Sequence, residues 1–135
     1  MMRRVRSLED TRSVSEPKRV LVADDSATVT TVLRIALESE GFMVEAAHNG
    51  PEAYEMGKTG TFDIVILDQL MPGLLGIEIV ERWHEEGIDT PVVMLSGVDN
   101  DRIVVESLEA GAIDFVRKPF RLPELVARIR LHLKD

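Results

Sequence analysis

Five short aliphatic runs, rich in β-branched residues, alternate with five stretches of helical periodicity in this 135-residue chain. That alternation is the strongest constraint on its fold. The runs cover residues 19–23, 42–47, 64–67, 91–95 and 113–116, and each has the length and continuous apolarity of a strand buried on both faces. Between them apolar side chains recur three and four apart. Ser26 is a natural N-cap for a helix with Val29, Val32, Leu33, Ala36 and Leu37 on its apolar face, stopped at Gly41. Pro51 starts a short helix through Met56 that ends at Gly57 and Gly60. Further helices start at Gly76 (Ile79, Val80 and Trp83 inward), span 101–110 up to Gly111, and start at Pro123 (Leu125, Val126, Ile129 and Leu133 inward). Five β-then-α units predict one α/β domain, a doubly wound five-stranded parallel sheet with right-handed crossovers and helices on both faces.

Charge is placed where these strands run out. Asp24 and Asp25 follow the first run, and Asp68 follows the third and opens a loop reading Gln69-Leu70-Met71-Pro72-Gly73. The fourth run ends in Leu95-Ser96-Gly97 and the fifth in Arg117-Lys118-Pro119-Phe120. In open α/β sheets ligands bind in the crevice beyond the carboxyl ends of the strands. Three carboxylates gathered there repel one another unless a cation joins them. Hard oxygen ligands with room for water suit Mg²⁺. A metal with an adjacent lysine and hydroxyl can hold the equatorial oxygens of a phosphoryl group, and Asp68 is then a carboxylate nucleophile. Singly, each residue has a plainer explanation: an aspartate or serine helix cap, or a surface lysine before a turn. Together, on four strand ends of one sheet, they point to a site.

Composition narrows the class further. No apolar run approaches the roughly 18 residues of a membrane span, and the N-terminus lacks the apolar stretch of a signal peptide. With no cysteine, thiolate metal sites and disulfides are excluded. A cytoplasmic location is expected. The net charge is −8, but residues 1–19 carry six basic side chains against three acidic ones. Residues 20–135 therefore hold ten basic and twenty-one acidic side chains, a net of −11. Such a body repels a phosphate backbone, so direct nucleic-acid binding by the domain is not expected. Residues 1–17 read as a flexible basic tail and 18–135 as the domain.

From Lys18 to Leu133 the chain resembles the receiver domain of two-component response regulators. The matching residues are Asp24-Asp25, Asp68 with Met71-Pro72-Gly73, Ser96, Glu109-Ala110-Gly111-Ala112 leading to Phe115, Lys118-Pro119-Phe120, and Glu124-Leu125-Val126-Ala127-Arg128-Ile129. The resemblance implies a flavodoxin-like strand order 2-1-3-4-5. It implies that Asp68 accepts phosphate from a histidine kinase or histidine phosphotransfer protein, making the chain a signalling phosphoacceptor that catalyses only its own phosphorylation and dephosphorylation. It further implies Mg²⁺ held directly by Asp25, by Asp24 through water, by Asp68 and by the carbonyl of Leu70. Lys118 would pair with the acid and then with the phosphoryl group, and Ser96 would hydrogen-bond a phosphoryl oxygen. Phe115 would be the switch aromatic, and Lys118-Pro119 a cis bond. Output to an effector or a homodimer would pass through the fourth helix, fifth strand and fifth helix, where Ile103 and Leu131 fall off the core faces.

Three departures from the family pattern stand out. Leu75-Gly76 occupies the place of a common Asp-Gly, Gln69 replaces the usual aliphatic, and Phe115 lacks a tyrosine hydroxyl. Leu70 and Val98, two residues beyond the phosphoacceptor and the hydroxyl, are aliphatic and would crowd an attacking water. A haloacid-dehalogenase-type phosphatase would need a second Asp where Leu70 stands. A flavin carrier would need a phosphate loop where Asp24-Asp25 stand. The Gly57-Lys58-Thr59 sequence lacks the upstream glycine and strand of a P-loop. His48, His84 and His132 show no ligand spacing and read as surface residues, and Trp83 and the methionines as core filler. The resemblance is compatible with a stand-alone receiver and with the input half of a DNA-binding transcription factor.

Overall fold

The computed structural model describes residues 16–97 and 100–133. Strands β1 (Arg19–Ala23), β2 (Met43–Ala47), β3 (Ile64–Asp68), β4 (Val92–Ser96) and β5 (Asp114–Arg117) alternate with helices α1 (Ala27–Ser39), α2 (Gly50–Gly57), α3 (Gly76–Glu85), α4 (Asp101–Ala110) and α5 (Leu122–His132). All neighbouring strands are parallel and their order is 2-1-3-4-5. The doubly wound sheet expected from the sequence is what forms.

Each central strand feeds two cores. Leu21, Val65, Leu67 and Met94 point to one side and meet Ala53 of α2 and Ile79, Val80 and Trp83 of α3. Val20, Val22, Ile64, Ile66, Val93 and Leu95 point to the other and meet Leu33 and Leu37 of α1 and Leu125 and Ile129 of α5. Burial on both faces is why these strands read as unbroken apolar runs rather than as alternation. Trp83 packs against α2 at Gly57, where an added Cβ would lie 2.2 Å from the indole. That contact explains a glycine whose position superficially suggested a phosphate loop.

The elements differ from expectation in detail. The third and fourth strands each run one residue further, so Asp68 and Ser96 are the last paired residues of β3 and β4. Strands β2, β4 and β5 start one residue late, and β5 also ends one residue later at Arg117, leaving Ile113 exposed beside the edge strand. On α1, Val32 is exposed at 42% while Thr30 is buried, its hydroxyl donating to Ala27. A threonine with its hydroxyl bonded to the backbone fits an apolar face, which polarity alone does not reveal. Leu131 is exposed as expected; Ile103 is half-buried, and Val105 and Leu108 are the exposed apolar residues of α4. Most of the basic tail, residues 1–15, and Val98 lie outside the described residues. Among the described residues no helix is long and apolar enough to cross a membrane.

Candidate functional site

The strand ends of β1, β3, β4 and β5 open onto one rim. Asp24, Asp25 and Asp68 each offer a carboxylate oxygen within 4.8 Å of the others. Asp24 is fully buried, Asp68 is 4% exposed, and Asp25 is open to solvent. Asp24 accepts a hydrogen bond from the Ser26 amide at 2.9 Å, so it shapes the turn into α1, while its other oxygen accepts one from Lys118 Nζ at 2.6 Å. The same ammonium stands 3.5 Å from Asp68 Oδ1. The lysine thus pairs first with Asp24 and only second with Asp68. The Lys118-Pro119 bond is cis, and the Lys118 amide donates to Ser96 at 2.8 Å, which ties the β5 exit to the end of β4.

Electrostatics separate the members of this cluster. Burial, followed by the neighbouring Asp24 charge, pushes Asp68 up from 3.8 to about 6, against the pull of Lys118 and the Leu70 amide. Burial also works against the Lys118 ammonium, but Asp24 and Asp68 outweigh it and hold it above the ordinary lysine value. Asp68 is therefore a carboxylate short of compensating charge, with an open side at Asp25. An all-oxygen donor set, two members buried and one exposed, fits a hard divalent cation with water in its remaining positions. None of the three side chains offers the sulfur or imidazole that a soft metal prefers.

Ser96 is buried at the last paired position of β4, one residue beyond Leu95, the register partner of Asp68. Phe115 lies opposite Met94 on β5, half-buried against the core that α3 covers, with the Arg117 guanidinium 6.0 Å from its ring. Leu70 follows Asp68 into the loop and is 53% exposed.

These features match known proteins closely. The family model of the response regulator receiver domain matches residues 20–130. The chain belongs to the response regulator receiver domain family. It is 41% identical over 120 residues to the transcriptional regulatory protein TrcR of Mycobacterium tuberculosis, an alignment covering 88% of this chain and 46% of that protein. The chain spans about half the length of the curated relatives it matches. The Francisella response regulator 1452 receiver domain superimposes with a TM-score of 0.82 at 32% identity, covering 86% of this chain and 96% of the other. A CheX-CheY-BeF3-Mg+2 complex from Borrelia burgdorferi gives 0.84 at 29% identity, covering 91% and 94%. Residues 20–130 of this chain are thus a receiver domain of the kind found in the response regulators of two-component signalling.

Two arrangements in this receiver were not read from its sequence. Asp114, at the start of β5, accepts hydrogen bonds from Arg128 Nη1 at 3.1 Å and from its own neighbour, the Phe115 amide, at 2.8 Å. His132 Nε2 lies 3.0 Å from its other oxygen, so His132 is held between α5 and β5 rather than free on the surface. The spacing of Arg128 and His132, one helical turn apart, carried the signal; the missing information was that α5 packs over the start of β5. His48 and His84 are exposed, as expected. The second arrangement is the buried side chain of Gln69, which bonds to α3 rather than facing the rim.

Proposed function

We propose that Asp68 is the phosphoacceptor and that Asp24, Asp25, Asp68 and the Leu70 carbonyl hold Mg²⁺. The observation that carries this reading is a buried carboxylate pushed up to about 6 beside two further carboxylates and a lysine. A similar domain in a complex containing BeF3 and Mg+2 supports it. When bound, Mg²⁺ supplies positive charge that offsets the three carboxylates and the phosphoryl oxygens. With its charge offset by the cation, Asp68 is ionised and one of its oxygens is free to attack phosphorus. A new O–P bond forms, the bond from phosphorus to the donor breaks, and its electron pair leaves with the donor, an imidazole from a partner phosphohistidine or an acetate from acetyl phosphate. Lys118 exchanges its contact with Asp68 for one with a phosphoryl oxygen, and Ser96 donates its hydroxyl to another. Phe115 then fills the space that Ser96 leaves, a two-state repacking that alters the α4–β5–α5 face.

The partners that follow are a histidine kinase or a histidine phosphotransfer protein as donor, and an effector or a second copy on that face. Residues 18–135 form the receiver unit in this reading, 1–17 a basic tail, and the chain acts in the cytoplasm. Relatives named as transcriptional regulatory proteins, of which this chain spans about half, favour a role as the input half of such a regulator. Acetyl phosphate with Mg²⁺ should add one phosphoryl mass to the wild-type chain and none to Asp68→Asn. Undiminished labelling of Asp68→Asn would remove the assignment.

A further inference from the structure

Helix α3 begins with an unusual set of partners. Its N-cap position is Leu75, whose side chain cannot accept a hydrogen bond, and Glu78 reaches back to the Leu75 amide at 2.9 Å. The first helical amides still need acceptors, because an unpaired buried N–H is costly. Both come from Gln69, seven residues upstream. Its carbonyl accepts from the Gly76 amide at 2.9 Å and its side-chain Oε1 from the Ile77 amide at 2.8 Å. Its own amide donates to Leu95 of β4 at 2.9 Å. Gly76 must be glycine for this approach, since a Cβ would stand 2.7 Å from the Asp68 carbonyl. Gln69 is buried, with 3% of its surface exposed, so the arrangement is a fixed joint.

We infer that Gln69 is a positioning residue for the acidic site, standing in for the cap that Leu75 cannot provide. The two departures noted in the sequence, glutamine for an aliphatic at 69 and leucine for aspartate at 75, are then one compensated change. Gln69 lies between Asp68 and Leu70, the nucleophile and carbonyl ligand of the proposed site, and this inference rests on that reading. Three backbone and side-chain bonds on a single residue hold the peptide connecting them to β4 and α3. Without the side-chain acceptor, the amide of Ile77 is orphaned and the junction of β3 with α3 is free to shift. The carbonyl of Leu70 and the carboxylate of Asp68 then no longer present a preset pair to the cation. Groups one step outside a metal's ligands typically change its affinity by roughly 10-fold or more.

Four proteins test this: wild type, Gln69→Met (near the same shape but without the acceptor), Leu75→Asp, and the double variant. Mg²⁺ affinity is read by calorimetry and fold stability by urea. Gln69→Met should weaken Mg²⁺ by about 10-fold. Leu75→Asp alone should stay within about twofold of wild type, and in the double variant aspartate should restore affinity to within about threefold, a non-additivity expected only of coupled groups. Wild-type affinity in Gln69→Met with lowered stability would overturn the inference, leaving Gln69 a structural residue only. A double variant no better than Gln69→Met would also overturn it. Should Gln69→Met fail to fold, a folded, Mg²⁺-binding double variant supports the inference and an unfolded one overturns it. Failure of the wild type itself to bind Mg²⁺ would instead count against the proposed metal site.

Discussion

Asp68 and Asp114 are both partly or fully buried carboxylates at the ends of strands in one sheet, and their surroundings drive them in opposite directions. Asp68 closes β3 at the carboxyl rim. Burial and the Asp24 charge outweigh its contacts with Lys118 and the Leu70 amide, and its pKa stands at about 6. Asp114 opens β5 at the other end. Burial there is outweighed by His132, the Phe115 amide and Arg128, and its pKa lies below the ordinary carboxylate value. One acid is fully served by donors of its own chain, whereas the other is left wanting a cation. The lesson is that burial of an acid does not mark function; burial with incomplete compensation does.

The largest effect that separates the two concerns phosphorylation. Asp68→Asn should abolish labelling by acetyl phosphate, while Asp114→Asn should keep the rate within about threefold, since Asp114 lies outside the rim. Intact mass against time decides it, and comparable losses in both variants would erase the distinction.

Stability in the absence of metal should then move in opposite directions. For Asp68 the folded-state pKa is raised, so the folded chain holds a proton that the unfolded chain releases between pH 3.8 and about 6. Its contribution falls as pH rises through that window, by up to roughly 3 kcal/mol at 1.36 kcal/mol per unit. Asp68→Asn should therefore stabilise the metal-free protein at pH 7.5 and do little at pH 4. Mg²⁺ should narrow the difference by stabilising the wild type. Urea midpoints at the two pH values measure this, and a variant no more stable than wild type at pH 7.5 would contradict it.

Asp114 has the reverse sign. Its depressed pKa gives stability that is present above the unfolded carboxylate range and lost as pH falls through the folded value. Asp114→Asn should cost about 1.5 to 3 kcal/mol at pH 7, the range for bonds to charged partners. Arg128→Ala should cost less than that, because His132 and the Phe115 amide remain as donors. Chemical denaturation with Arg128→Ala as unstable as Asp114→Asn would place the burden on the arginine alone.

The smallest effect concerns the lifetime of the phosphorylated state. Leu70 is exposed beside Asp68 and cannot hydrogen-bond a water aligned for hydrolysis. Leu70→Asn should quicken phosphate loss severalfold, measured as release after donor removal. No comparable change is expected at the Asp114 end.

Much of this was legible in the sequence because the sheet is buried on both faces. Runs such as Val20–Ala23 and Ile64–Leu67 had no other reading, and the acids just after them marked the rim. The exact strand ends were less legible, since Asp68 and Ser96 are polar residues still held by parallel pairing. Three features depend on contacts that join distant parts of the chain. Lys118 and Asp24 are 94 positions apart in sequence, Arg128 and Asp114 14 apart, and Gln69 and Ile77 eight apart. The departures at Leu75 and Gln69 were visible singly; their coupling required the hydrogen bond.

The most direct test is to locate the phosphoryl group by chemistry. Borohydride reduces an aspartyl phosphate to homoserine, so treatment of the chain after incubation with acetyl phosphate and Mg²⁺, followed by peptide mass mapping, reads the site residue by residue. The account predicts homoserine at position 68 and unmodified aspartate at 24, 25 and 114. Homoserine at any of those three positions, with Asp68 intact, would contradict it.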